Sequence, residues 1–70
     1  MVYKGVIAGT SSSPGAYTPA AMVGETYRVS TAGYINGIKV EVGDILICVT
    51  DTVAATSSNY STIKSNWNII

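Results

Sequence analysis

Four carboxylates, a run of three serines, one cysteine and six aromatic side chains are the residues of this chain that could do chemistry; there is no histidine. Glu41 and Asp44 are the closest carboxylate pair. A glycosidase sets two carboxylates across a scissile bond in a cleft. Here Glu41 reads as the wet face of a strand, and Asp44 as a turn residue whose oxygen accepts from nearby backbone N–H groups. The spacing favours turn chemistry over a small hydrolase. Ser11, Ser12 and Ser13 would need an adjacent base to become nucleophiles, and none stands near them in sequence. They read as a loop. The string Gly-Val-Ile-Ala-Gly at 5–9 lacks the Lys-Ser/Thr pair of a phosphate-binding loop and reads as a strand end. Cys48 lies inside Ile-Leu-Ile-Cys-Val and reads as a small buried apolar residue. Tyr3, Tyr17, Tyr27, Tyr34, Tyr60 and Trp67 could stack on sugar rings, but such side chains also favour half-buried core and interface sites. The second reading is preferred, with Tyr17, Tyr34 and Tyr60 kept as candidate glycan contacts.

These residues must be held by β structure. Val2–Ala8 reads as a first strand, with Val2, Lys4, Val6 and Ala8 on one face and Tyr3, Gly5 and Ile7 on the other. Its mixed pattern suggests cover on both faces, as at a subunit contact. Residues 9–21 carry two prolines, two glycines and the serine run, and form a loop that is long for so small a domain. Glu25–Thr31 alternates cleanly, with Tyr27, Val29 and Thr31 inward. Gly33 breaks it. Asn36-Gly37 follows, the strongest short hairpin signal, because a type I′ turn needs positive φ at both positions; the first arm, Tyr34-Ile35, is short, so a loop excursion between longer strands is the equal alternative. Ile38, Val40 and Val42 then form a core face, and Gly43-Asp44 a second tight turn. Residues 45–49 are continuously apolar, the pattern of a strand covered on both sides. Residues 51–58 are a polar loop. Residues 59–66 are ambiguous, one helical turn with Ile63 inward being one reading, and a short strand from Trp67 ends the chain. The expected packing residues are Tyr27, Val29, Ile38, Val40, Val42, Ile45, Ile47 and Trp67. Gly33, Asn36, Gly37, Gly43 and Asp44 set the turns.

Composition narrows the classes. Eight valines, eight isoleucines and eight threonines stand against a single leucine and no phenylalanine, a β-branched bias that suits a pleated surface. Four basic and four acidic residues sum to zero, so the clustered basic footprint of a nucleic-acid binder is missing. One cysteine and no histidine offer neither a disulfide within the chain nor a zinc site, and the carboxylates lack calcium-loop spacing, so no metal or cofactor is expected. No apolar run is long enough to span a membrane, and Lys4 and Gly5 interrupt the stretch that a signal peptide would need. Seventy residues make one domain whose core alone is marginal, which points to oligomerisation. The expectation is a single all-β module over residues 1–70. It would be a small sandwich or barrel of about six short strands, completed by partner chains. Val2, Tyr3, Val6, Ile7 and Tyr17 are the candidate interface.

The residues Gly24-Glu25-Thr26-Tyr27-Arg28-Val29, then Gly33, then Val40-Glu41-Val42-Gly43-Asp44-Ile45-Leu46-Ile47 and finally Trp67 carry a resemblance. Tyr3-Lys4-Gly5 and Pro19-Ala20 add to it. The pattern resembles a small β module of tailed-bacteriophage fibre proteins, found in tail fibres, head fibres and related virion appendages. The resemblance implies a structural, non-enzymatic part of the virion, assembled in the bacterial cytoplasm. It also implies a homo-oligomer, with a trimer favoured, and other virion proteins as partners. Contact with a host surface glycan is the alternative role. Nothing catalytic carries over, since the shared motifs are turn glycines, one aspartate and alternating apolar residues. The apolar ending Ile69-Ile70 after Trp67 suggests a module of a longer fibre or decoration protein.

Overall fold

The computed structural model describes residues 1–70. The chain forms six strands and one short helical segment. The strands are β1 (Val2–Ala8), β2 (Glu25–Thr31), β3 (Gly33–Ile35), β4 (Ile38–Val40), β5 (Ile45–Cys48) and β6 (Trp67–Ile69). A single α-turn, α1 (Tyr60–Ile63), runs into a 3-10 turn over Lys64–Asn66. It is a small all-β domain with two sheets, a four-stranded one in the order β1-β2-β5-β6 and the β3-β4 hairpin. No helix is long and apolar enough to cross a membrane.

Strand β1 runs parallel to β2, while β2-β5 and β5-β6 are antiparallel, so β1, β2 and β6 all point the same way. The parallel pair explains the long loop. A hairpin turn cannot join parallel strands, so the chain must travel back along the sheet before β2 can begin. Residues 9–24 make that return over the hairpin.

The pleat sorts the sheet into two faces, because directly paired residues share a face. Gly5, Tyr27, Leu46 and Ile69 form one row across the four strands, with Ile7 and Val29 on one side of it and Cys48 and Trp67 on the other. This face is the core. Val29, Leu46, Cys48 and Trp67 are buried in one cluster with Ala21, Ile35, Val40, Ala55 and Ile63, and Ile7, Ala16, Tyr27, Ile38, Tyr60 and Ile69 pack against it. The Tyr27 and Trp67 rings meet at 5.9 Å and 60°, the tilted arrangement that aromatic pairs prefer. Ile63 points inward from the helical turn, which resolves the ambiguous stretch 59–66.

Four expectations change. In β2, Thr31, expected inward, is exposed, and Thr26, expected outward, is buried with its hydroxyl on Val2 O. Val42 is not in the core: β4 ends at Val40, the chain turns at 42–43, and Val42 is 57% exposed. Residues 45–49 are not covered on both sides by their own chain. Leu46 and Cys48 are buried, whereas Ile45 and Ile47 occupy the other face and are half-buried. The alternation expected for β1 also fails, because a register shift between Tyr3 and Gly5 bulges Lys4 out of the ladder. Tyr3 and Val6, expected on opposite faces, therefore share one.

The hairpin turn is built as its sequence demands. Asn36 has φ 51° and Gly37 φ 77°, both left-handed, which is the type I′ geometry. The same asparagine then does a second job. Its side chain is buried, with Oδ1 accepting from the Thr18 N–H at 3.2 Å and Nδ2 donating to Thr18 Oγ1 at 2.8 Å. Backbone bonds extend this clasp. The Asn36 and Gly37 N–H groups donate to Ala16 O and Pro14 O at 2.8 and 2.7 Å, and Tyr34 exchanges bonds with Thr10. The return loop is thus strapped to the hairpin's free edge. Close approach requires glycine at Gly15 and Gly33, since a Cβ there would overlap the carbonyls of Tyr34 and Thr10.

Candidate functional site

The carboxylates are all committed to backbone or solvent. Asp44 Oδ2 accepts from the Glu41 N–H at 2.9 Å, while the Asp44 N–H donates to Glu41 O at 3.1 Å, closing the turn on itself. Glu41 is exposed on the outside of that turn. Glu25 Oε1 accepts from the Met22 N–H at 3.0 Å, and Asp51 Oδ1 from the Val23 N–H at 2.8 Å. Glu25 Oε2 also faces Lys4 Nζ at 3.6 Å, the single ion pair of the chain. Glu25 and Asp51 line a shallow groove of about 530 Å³ with residues 20–22 and 52–53. Each spends an oxygen bracing the groove wall. No three His, Cys, Asp or Glu side chains cluster in a way that could hold a metal.

Cys48 lies under this wall. Burial pushes its thiol above the ordinary value of 9.0; a backbone hydrogen bond at Thr50 works the other way, and the negative Asp51 and Glu25 add to the rise. A thiol held neutral is a poor nucleophile. Its S–H donates to Thr50 O at 3.1 Å. The three serines are exposed, and the nearby Thr10 hydroxyl is spent on Ser12 O at 3.2 Å.

The candidate glycan contacts divide. Tyr17 and Tyr60 come together with ring centroids 6.1 Å apart and planes 34° from parallel. Tyr60 is half-buried above Gly37, so close that a Cβ there would lie 3.1 Å from its ring, and Tyr17 is the more exposed member. Tyr34 makes no ring pair with either. It sits opposite Lys39 in the hairpin, and its backbone holds the strap.

The candidate interface residues divide as well. Val2, Tyr3 and Val6 stand exposed on the edge strand β1. Ile7 does not: it lies beside Val29 on the core face and packs into the cluster. Opposite the core, the sheet shows two rows. Val6, Arg28, Ile45 and Ile70 form one, with Ile45 and Ile70 exchanging both backbone hydrogen bonds; Tyr3, Thr26, Ile47 and Asn68 form the other. Ile45 and Ile47, expected as packing residues, are half-buried on this outer face beside the exposed Ile70, to which the sequence assigned no role. The signal was present in the unbroken apolar run at 45–49, which asks for cover on two faces and receives it on one.

Searches against family models, curated proteins and solved structures each gave no match.

Proposed function

We propose that this chain is a structural, non-enzymatic module that works by assembling with copies of itself, as a head-fibre, tail-fibre or capsid-decoration part of a phage virion. The single observation that carries the reading is the apolar edge strand β1. Val2, Tyr3 and Val6 are all more than half exposed, and the only charge on the strand, Lys4, is drawn to Glu25. Exposed apolar side chains grouped on one strand mark an interaction surface. The phage assignment rests on the resemblance of the turn and strand motifs, which also favours a trimer. In such an oligomer the partner chains would complete a small sandwich. Other virion proteins would be the remaining partners, and no nucleic acid or membrane enters the scheme. Light scattering on a sizing column at several concentrations tests the assembly. A discrete oligomer is expected; a stable monomer at every concentration would overturn it.

The Tyr17–Tyr60 pair favours a second reading, contact with a surface glycan. Two neighbouring rings beside a polar loop give a stacking surface. This reading expects a saturable shift with polysaccharide that Tyr17→Ala weakens. A glycan panel that gives no shift at high concentration would end it.

A further inference from the structure

We infer that the copies pair through the outer face of the four-stranded sheet, packed against the same face of a second copy of this chain, a two-fold dimer in place of the trimer that the resemblance favours. The inference rests on the assembly reading above and assigns it a surface. Three of the four strands place apolar side chains on this face. Tyr3 is 62% exposed, Val6 57% and Ile70 69%, with the half-buried Ile45 and Ile47 between them. Thr26, between Tyr3 and Ile47, is buried with its hydroxyl donating to Val2 O at 3.2 Å, so the open apolar surface lies to either side of it. The molecule is a slab of 28 × 27 × 15 Å, whose thin axis holds one sheet and one covering layer.

The occupant follows from area, charge and shape. The whole slab projects roughly 750 Å² along its thin axis, an upper bound for this face that approaches the ~800 Å² per partner of a standard interface. Four positive and four negative residues leave no net charge to keep copies apart. The one charged group in the two rows is Arg28, whose long stem is apolar and whose tip can reach the rim. Hydrogen bonding along the free edge of β1 is the poorer route, because the Lys4 bulge breaks that ladder, and bulges blunt strand edges. Sheet-on-sheet packing needs no intact edge. It would give Ile45 and Ile47 the cover that Leu46 and Cys48 already have.

The test compares solution mass for the native chain, Val6→Lys, Ile70→Lys and the off-face control Val42→Lys. Far-UV circular dichroism and Trp67 fluorescence report the fold. The native chain and Val42→Lys should share one oligomeric mass. Val6→Lys and Ile70→Lys should need at least tenfold more protein to assemble. A second measurement needs no variant: broadening of methyl signals by a soluble paramagnetic agent. Val6, Ile45, Ile47 and Ile70 should be shielded in the oligomer and exposed on dilution, while Val42 and Val53 stay exposed throughout. An oligomer whose outer-face methyls remain exposed overturns the inference and leaves assembly standing. A monomeric native chain overturns both.

Discussion

Replacing Asn36 separates two contributions that this one side chain makes. Asn36→Ala puts a Cβ-bearing residue without a compensating side chain at φ 51°. Holding alanine in the left-handed region costs about 1–2 kcal/mol. The same change strips the buried Thr18 N–H of its acceptor and the Thr18 hydroxyl of its donor. A buried donor left unpaired costs about 1–3 kcal/mol. Together the loss is near ~3 kcal/mol, against a total of roughly 4–10 kcal/mol for a chain of this length. That corresponds to a fall in Tm of roughly 12–24 °C. Asn36→Gly keeps the backbone conformation and loses only the hydrogen bonds, so it should cost about 2 kcal/mol. Urea titrations followed by Trp67 fluorescence, at one fixed protein concentration, give both values. The expected order is native, then glycine, then alanine, with about 1 kcal/mol between the last two. Equal values for Gly and Ala would refute the backbone argument. A cost under about 0.5 kcal/mol for both, the range of an ordinary surface change, would refute the clasp as well.

Other outcomes follow from the same geometry. Gly15→Ala and Gly33→Ala drive a methyl into the Tyr34 and Thr10 carbonyls and should each cost about 3–5 kcal/mol, seen as a large drop in urea midpoint. Gly24→Ala, with positive φ but open space, should cost only the backbone strain of about 1–2 kcal/mol by the same titration. Cys48 has a raised pKa in the folded state, so its contribution is complete below the unfolded value and is lost as pH rises through the folded one. The stability gap between the native chain and Cys48→Ala should therefore narrow above pH 9.0, measured by denaturation across alkaline pH. Leu46→Ala should cost about 2–5 kcal/mol in thermal or urea unfolding. Val42→Thr, on the exposed turn, should stay within about 0.5 kcal/mol.

The elements with a local cause were legible in the sequence. The Asn-Gly turn and the Gly43-Asp44 turn each follow from residues within a few positions of one another, whereas the alternation of 25–31 holds only in part, since Thr26 is buried and Thr31 exposed. The failures have a different origin. Val42 continues a period-two pattern, but the left-handed Gly43 ends the strand before it, and no pattern in 38–42 says where the turn's claim begins. The Lys4 bulge depends on how β1 meets β2, which is a property of the pair. Parallel pairing likewise leaves no mark in either strand, although the length of 9–24 was its trace. Of the candidate sites, the exposed Val2, Tyr3 and Val6 could be read directly. The Tyr17–Tyr60 pair could not, since forty-two intervening residues must fold before the rings meet. Asn36 was legible as a turn residue and illegible as a clasp, because Thr18 reaches it only after the return loop crosses the hairpin.

Because β1 and β6 point the same way and occupy opposite edges of the sheet, the start of β1 and the end of β6 lie at diagonally opposite corners of the slab. Polypeptide joined at Met1 and at Ile70 would therefore depart in opposite directions along the strand axis. Because Ile70 lies level with Val6, copies fused in tandem would advance only three pairing steps from Val2, roughly 10 Å, and step sideways by three strand spacings, roughly 14 Å, at every repeat. A pull applied at those two ends would load the β1-β2 ladder in shear.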